Sequence, residues 1–201
     1  MTILYLIVAR GGSKRLPGKN LRQINGISLV GYKCLAAKHS KSCTDVIFST
    51  DSPQISDEAR QYSVSSPFIR PDFLAADTAT TEDVVRHAVA WCEQHGKIYD
   101  AIHLLEPSSP FVRPCDYDRA AQIMEDSHVD FVYSEPLKRG VCYLFRWRYL
   151  VTRGDLYNKP TSLLGFSMPS EYSVDIDTLQ DFHYAEFLAE KGYVDLSWAK
   201  P

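Results

Sequence analysis

Apolar residues recur along the chain in short runs that are separated by amphipathic segments. A near-continuous apolar run is typical of a strand in a parallel sheet, because helices cover both of its faces and neither face meets water. Three of the runs have this character. The pattern predicts strands at Ile3–Ala9, Asp45–Thr50, Ala101–Leu105, Phe131–Ser134 and Val141–Phe145.

The segments between the runs carry apolar side chains at helical spacing, and several begin with capping signals. Ser52-Pro53 suits a helix start, and Thr80-Thr81-Glu82-Asp83 has the pattern of a capping box. Strands that alternate with helices predict an α/β fold with a doubly wound, mainly parallel sheet, in one domain over residues 1–201. Residues 146–172 break the periodicity and are expected to form irregular structure with a late edge strand. Predicted helices cover Ser28–His39, the segments after Ser52 and Thr80, Pro114–Ser127 and Thr178–Lys191.

The composition narrows the range of partners. Apolar residues make up 45% of the chain and charged residues 23%, and the formal net charge is −3. Such a chain has no overall attraction for nucleic acid or an acidic membrane, so we expect neither as a partner and any basic site is local. No apolar run approaches the roughly 20 residues of a membrane span, and the N-terminus lacks the cationic leader of a signal peptide. The scattered cysteines contain no C-x-x-C pair, so the expected location is the cytoplasm, with no disulfide framework.

A glycine-rich loop, "ARGGSKRLPGKN", follows the first predicted strand directly. It fits neither the Walker A pattern nor the G-x-G-x-x-G fingerprint. Gly11 and Gly12 would let backbone N–H groups approach a phosphate, and the loop cations would neutralise a triphosphate. A solvated surface turn is the alternative. The cations concerned are Arg10, Lys14 and Lys19.

Near the C-terminus, Asp175 and Asp177 alternate with apolar residues. On an extended strand both carboxylates point to one side, and two such charges need a cation between them. One or two carboxylates plus substrate phosphates commonly hold Mg²⁺. Alternatively, Asp177 or Thr178 caps the last helix with Asp181, which leaves Asp175 unexplained.

Together these motifs identify a resemblance to the acidic-sugar cytidylyltransferases, which make CMP-sialic acid and related CMP-nonulosonates. The glycine-rich loop resembles the family's signature, and further motifs follow in the same order along nearly the whole chain. The resemblance implies a nucleotide-diphospho-sugar transferase-like (Rossmann-like) sheet. The other matching stretches are "FSTD" (48–51), "IRPDFLAADTATTEDVV" (69–85), "LLEPSSP" (104–110) and "SVDIDTLQDF" (173–182).

The resemblance implies that CTP and an acidic sugar give a CMP-sugar and pyrophosphate, with Mg²⁺ held by Asp175 and Asp177. It implies catalytic roles for these two aspartates and for Arg10, Lys14 and Lys19. The implied nucleotide-binding residues are Ala9, Arg10, Gly11, Gly12, Ser13, Lys19, Asn20, Arg70 and Thr81. The implied acceptor-binding residues are Glu106, Ser108, Ser109 and Arg139.

Two departures from the family leave the acceptor and the oligomeric state open. Glu106 stands where the family usually has Gln, and it would repel an acidic sugar unless a cation or an amino group faces it. Only "SEPLKRG" (134–140) separates two predicted strands, where typical members carry a long arm that forms their dimer. A metal-dependent glycosyltransferase and a non-catalytic nucleotide-binding relative are the alternative functions.

Three further residues have structural alternatives. Asp51 could meet ribose hydroxyls or cap the helix at Ser52-Pro53, and Thr81 could be a helix cap. His103 lies inside an apolar strand and is expected to be a core residue, not a catalyst.

Overall fold

A mixed six-stranded sheet forms the centre of the protein in a computed structural model, which describes residues 1–135, 141–149 and 162–200. The spatial strand order is β4-β1-β5-β7-β6-β8, and β2 and β3 form a separate hairpin. The strands are β1 (Ile3–Val8), β2 (Gln23–Ile24), β3 (Ile27–Ser28), β4 (Asp45–Ser49), β5 (Ala101–Leu105), β6 (Phe131–Ser134), β7 (Tyr143–Arg146) and β8 (Leu163–Phe166).

The sheet is mainly parallel, as the sequence predicts. Strand β1 pairs in parallel with β4 and β5, and β6 pairs in parallel with β8. Strand β7 lies antiparallel between β5 and β6. Helices cover both faces of the central strands, so β5 is buried along its whole length and His103 is a core residue, as expected. The late edge strand expected within residues 146–172 is β8.

Helix starts follow the capping signals of the sequence. Ser28 and Ser52 accept hydrogen bonds from the backbone N–H groups of Gly31 and Ile55. Thr80 with Asp83, and Thr178 with Asp181, form complete capping boxes. Thr80, not Thr81, is therefore the cap of its helix. The helices are α1 (Leu29–His39), α2 (Pro53–Gln61), α3 (Thr81–Gln94), α4 (Pro114–Ser127) and α5 (Leu179–Glu190).

Two strand predictions need correction. The strand predicted at Val141–Phe145 begins only at Tyr143, because the N–H groups of Val141 and Cys142 both donate to Ser134 Oγ and do not join the ladder. The strand expected around Asp175 and Asp177 is absent: residues 173–177 form no strand among the described residues. No helix in the described ranges is long and apolar enough to cross a bilayer.

Candidate active site

A cleft of about 520 Å³ opens where β1 and β5 end. Doubly wound sheets bind ligands at this edge, beyond the carboxyl ends of their strands. The walls come from the loop after β1, the segment leading into α3, the turn after β5 and the C-terminal Asp177. Most of the predicted site residues line it: Ala9, Arg10, Ser13, Lys14, Lys19, Asn20, Arg70, Thr81, Glu106, Ser108 and Asp177.

Asn20 and Gly18 set the shape of the glycine-rich loop. Gly18 has φ 67°, a left-handed conformation that glycine adopts without strain, and a short 3₁₀ helix begins after it at Lys19. Asn20 is 7% exposed, and its Nδ2 donates to the carbonyl of Arg10 at 2.9 Å. The two ends of the loop are therefore tied together by residues that line the cleft.

Gly11 has a role that differs from the predicted one. Its N–H donates to Asp51 Oδ1 at 2.9 Å and is thus used within the protein. A Cβ atom at Gly11 would lie 3.0 Å from Ser52 Cβ, so any side chain here would press on the turn after β4, which glycine avoids. Neither Gly11 nor Gly12 is among the residues that line the cleft. Asp51 therefore anchors the loop, and Ser52, not Asp51, caps α2.

Asp77 pairs with two cations of the loop. Arg10 Nη1 lies 2.8 Å from Asp77 Oδ1, and Lys14 pairs with the other oxygen of the same carboxylate. Hydrogen bonds from Lys14 and Arg10 lower the pKa of Asp77. Sequence reasoning gave Asp77 no role, although it lies in the "AADTATT" motif.

Across the cleft, Lys19 joins the loop to the C-terminal acidic segment. Lys19 Nζ donates to the carbonyl of Ile176 at 2.7 Å and to Asp177 Oδ1 at 3.2 Å. Arg15, a second residue without a predicted role, donates to Asp177 Oδ2 at 2.8 Å. The basic loop and the acidic segment are thus in direct contact.

The acidic segment keeps its alternation without being a strand. Val174 and Ile176 are buried, whereas Asp175 is exposed and Asp177 is half-buried. The N–H of Ile176 donates to the carbonyl of Ser108 at 2.7 Å, which attaches the segment to the turn after β5. Asp177 lines the cleft and Asp175 does not.

Arg70 is a tether between strand ends as well as a cleft residue. It is 4% exposed, and its Nη2 donates to the carbonyl of Ser49 at 2.5 Å and to that of Ala9 at 3.4 Å. Burial lowers the pKa of its guanidinium to about 10. Arg70 thus satisfies the carbonyl groups where β1 and β4 end.

Glu106 follows β5 directly and lines the cleft. Burial, and then the charge of Asp175, raise the pKa of its carboxyl to about 7. Ser109, by contrast, is buried in the turn, where its N–H donates to the Glu106 carbonyl, and it does not line the cleft. Arg139 lies outside the described residues.

The cleft lies at the sheet edge where doubly wound folds bind nucleotides. A basic loop borders it on one side and carboxylates on the other, which is typical of nucleotide-binding proteins. Residues 4–167 match the family model described as cytidylyltransferase, and the chain belongs to that family. The resemblance seen in the sequence motifs is therefore confirmed, and the protein is a nucleotidyltransferase.

Two curated relatives match nearly the whole chain. The CMP-N,N′-diacetyllegionaminic acid synthase of Legionella pneumophila is 31% identical, over 94% of this chain and 97% of that protein. The pseudaminic acid cytidylyltransferase of Campylobacter jejuni is 26% identical, over 94% of this chain and 96% of that protein. The alignment with the Legionella protein spans 226 positions, more than the 201 residues here, so that relative has residues without a counterpart in this chain.

Solved structures share the fold. A CMP:2-keto-3-deoxy-manno-octonic acid synthetase complexed with CTP superposes with a TM-score of 0.73 at 16% identity, over 96% of this chain and 100% of that one. A cytidylyltransferase from Leptospira borgpetersenii gives 0.71 at 18% identity, over 95% and 87%. The predicted fold class is confirmed.

Proposed function

We propose that this cytidylyltransferase transfers CMP from CTP to an acidic nine-carbon sugar and releases pyrophosphate. The observation that carries the proposal is the contact across the cleft, where Lys19 of the basic loop reaches the carbonyl of Ile176 and the carboxylate of Asp177. The named relatives that act on legionaminic and pseudaminic acids support this class of acceptor.

In the reaction, the acceptor hydroxyl oxygen bonds to the α-phosphorus of CTP, and the bond from that phosphorus to the pyrophosphate oxygen breaks. Catalysis of this kind depends on alignment and charge neutralisation rather than on covalent chemistry. Arg10 and Lys14 would exchange Asp77 for the β- and γ-phosphates, and Lys19 would neutralise charge beside them. Asn20, Arg70 and Thr81 would border the nucleoside. Glu106, with a pKa near 7, is suited to accept the hydroxyl proton at neutral pH.

Asp175 and Asp177 fit a magnesium ion by their donor chemistry. Asp177 lines the same cleft as Glu106, and Asp175 lies two residues before Asp177 on the same segment. The described residues contain no cluster of three or more metal-binding side chains, so phosphate and water oxygens would complete the coordination. When bound, the ion would polarise the α-phosphate and lower the pKa of the attacking hydroxyl.

A pyrophosphate-release screen tests the proposal. Each nucleoside triphosphate is combined with Mg²⁺ and with N,N′-diacetyllegionaminic, pseudaminic, N-acetylneuraminic or 2-keto-3-deoxy-manno-octonic acid. We expect release with CTP and a nine-carbon acid only. No release with any pair contradicts the proposal, and release of a nucleoside diphosphate from a nucleotide-sugar would favour the glycosyltransferase instead.

Variants of the acidic segment complete the test. Asp175→Asn and Asp177→Asn are expected to lose turnover and remain folded. The matched control is Asp57→Asn, an exposed carboxylate on α2 that pairs with Arg60. Normal turnover of either segment variant would remove the metal assignment.

A further inference from the structure

Asp77 lies in the cleft but touches no substrate in the proposed reaction. It is carried by the segment that leads into α3, and it lines the same cleft as the two cations that it contacts. Arg10 Nη1 is 2.8 Å from Asp77 Oδ1, and Lys14 Nζ contacts Asp77 Oδ2. Because each cation uses a different oxygen, one carboxylate neutralises both cations at once.

These are the two cations that the proposed function assigns to the β- and γ-phosphates. Asp177, which also lines the cleft, pairs with different cations and belongs to the proposed magnesium-binding segment. Asp77 and the phosphate groups therefore need the same guanidinium and ammonium groups. A triphosphate can contact Arg10 and Lys14 fully only when Asp77 has given them up.

The exposure of the three side chains makes this exchange reversible. The side chain of Arg10 is 41% exposed, that of Asp77 51% and that of Lys14 81%. Ion pairs this exposed contribute little to folding stability, because water solvates each charge and salt screens their attraction. The pairs can therefore open without unfolding the loop. A triphosphate carries several negative charges and attracts both cations more strongly than one carboxylate does.

We propose that Asp77 is a positioning residue that competes with phosphate groups for Arg10 and Lys14 and so sets how tightly the cleft holds CTP and pyrophosphate. The carboxylate retakes the two cations as pyrophosphate leaves, and it thereby speeds release of that product. This inference rests on the proposed function, because it concerns the pyrophosphate that the proposed reaction forms.

Binding of inorganic tripolyphosphate and of pyrophosphate, measured by isothermal titration calorimetry without added metal, tests the competition directly. Asp77→Asn keeps the size of the side chain and removes its charge, so both Kd values should fall by about fivefold or more. Asp77→Ala cannot donate a hydrogen bond to phosphate and should show the same gain. Asp77→Glu keeps the charge, and its affinities should stay near those of the wild type. The gain of Asp77→Asn should shrink when the ionic strength is raised.

The matched control is Asp57→Asn, which changes the net charge by the same amount. Asp57 pairs with Arg60 on α2 and does not line the cleft, so its two Kd values should stay within about twofold of the wild type. Unchanged or weaker binding by Asp77→Asn would overturn the inference, because a carboxylate that orders the loop for phosphate would give that result. Absence of binding to every variant would overturn it as well.

A second background separates competition for the cations from simple repulsion between Asp77 and phosphate. In Lys14→Met protein one of the two contested cations is gone, so the gain from Asp77→Asn should fall to less than half. A gain of the same size in both backgrounds would show repulsion alone and overturn the inference.

Product inhibition links the binding result to turnover. With the acceptor found in the screen, Asp77→Asn should lower the inhibition constant of pyrophosphate by about fivefold or more, while the acceptor KM stays within about twofold. An equal change in both constants would overturn the inference, because a general disturbance of the cleft affects both substrates. Absence of turnover with every acceptor would contradict the proposed function alone, and the binding measurements would still decide the part of Asp77.

Discussion

Replacing Lys19 with methionine should destabilise the protein even when no nucleotide is present. The change keeps most of the side-chain stem and removes the ammonium that bonds the Ile176 carbonyl at 2.7 Å and Asp177 at 3.2 Å. The Lys19 side chain is only 15% exposed, so water replaces these bonds poorly. A hydrogen bond from a charged donor contributes roughly 1.5–3 kcal/mol. The partly exposed pair with Asp177 adds less than about 1 kcal/mol.

We therefore expect the free energy of unfolding to fall by about 2–3 kcal/mol. For a chain of this length, each kcal/mol lowers Tm by roughly 2–4 °C. Urea and thermal unfolding, followed by circular dichroism without nucleotide, measure the loss. Arg15→Met is the matched control, because Arg15 contacts the same carboxylate but is 67% exposed, and it should cost less than about 1 kcal/mol. Equal stability of the two variants would refute the reasoning that Lys19 fastens the acidic segment.

Three other changes test the fold. Gly31→Ala would place a Cβ atom 2.5 Å from Tyr62 Cζ. Overpacking should cost roughly 1–3 kcal/mol and outweigh a helix-propensity gain of about 1 kcal/mol. Urea unfolding should show the loss of stability, and it should disappear when Tyr62 is also replaced by Ala. Burial lowers the pKa of His103 to about 4, so the unfolded chain binds a proton that the native protein does not between pH 6.5 and 4. As the pH is lowered through that window, the free energy of unfolding should fall by up to about 3 kcal/mol. Urea unfolding at several pH values should show that His103→Gln lacks this pH-dependent loss. Thr80→Ala should cost about 1 kcal/mol in the same assay through loss of the capping box, whereas Thr78→Ala, outside the helix, should cost less.

Local signals predicted the fold well because they act within a few residues. Each helix start depends on a side chain and an N–H group three positions away, as for Thr80 with Asp83 and Thr178 with Asp181. The strand predicted at Asp175 and Asp177 failed for a physical reason. Alternating apolar and polar residues show only that one side of a segment is buried. A strand also needs backbone hydrogen bonds to a neighbouring strand, and residues 173–177 form no such pairing. The hairpin of β2 and β3 is absent from the predicted elements, although its turn residues Asn25 and Gly26, both with positive φ, form the Asn-Gly pair typical of two-residue hairpins.

The pairings in the cleft could not be predicted from the sequence pattern. Arg10 and Asp77 are 67 residues apart, and Arg15 and Asp177 are 162 residues apart, so no local periodicity connects them. The motifs indicated which residues gather at the sheet edge, but not which cation meets which carboxylate. The use of the Gly11 N–H by Asp51 is equally long-range.

The bond from the N–H of Ile176 to the carbonyl of Ser108 has a consequence for synthesis of the protein on the ribosome. One wall of the cleft is made of residues that are synthesised after all the strands of the central sheet, which can already have paired. A nascent chain that has folded its first strands still lacks Asp177 and the anchor for Lys19. The cleft is therefore complete only after residues 173–177 have emerged and docked against the turn after β5.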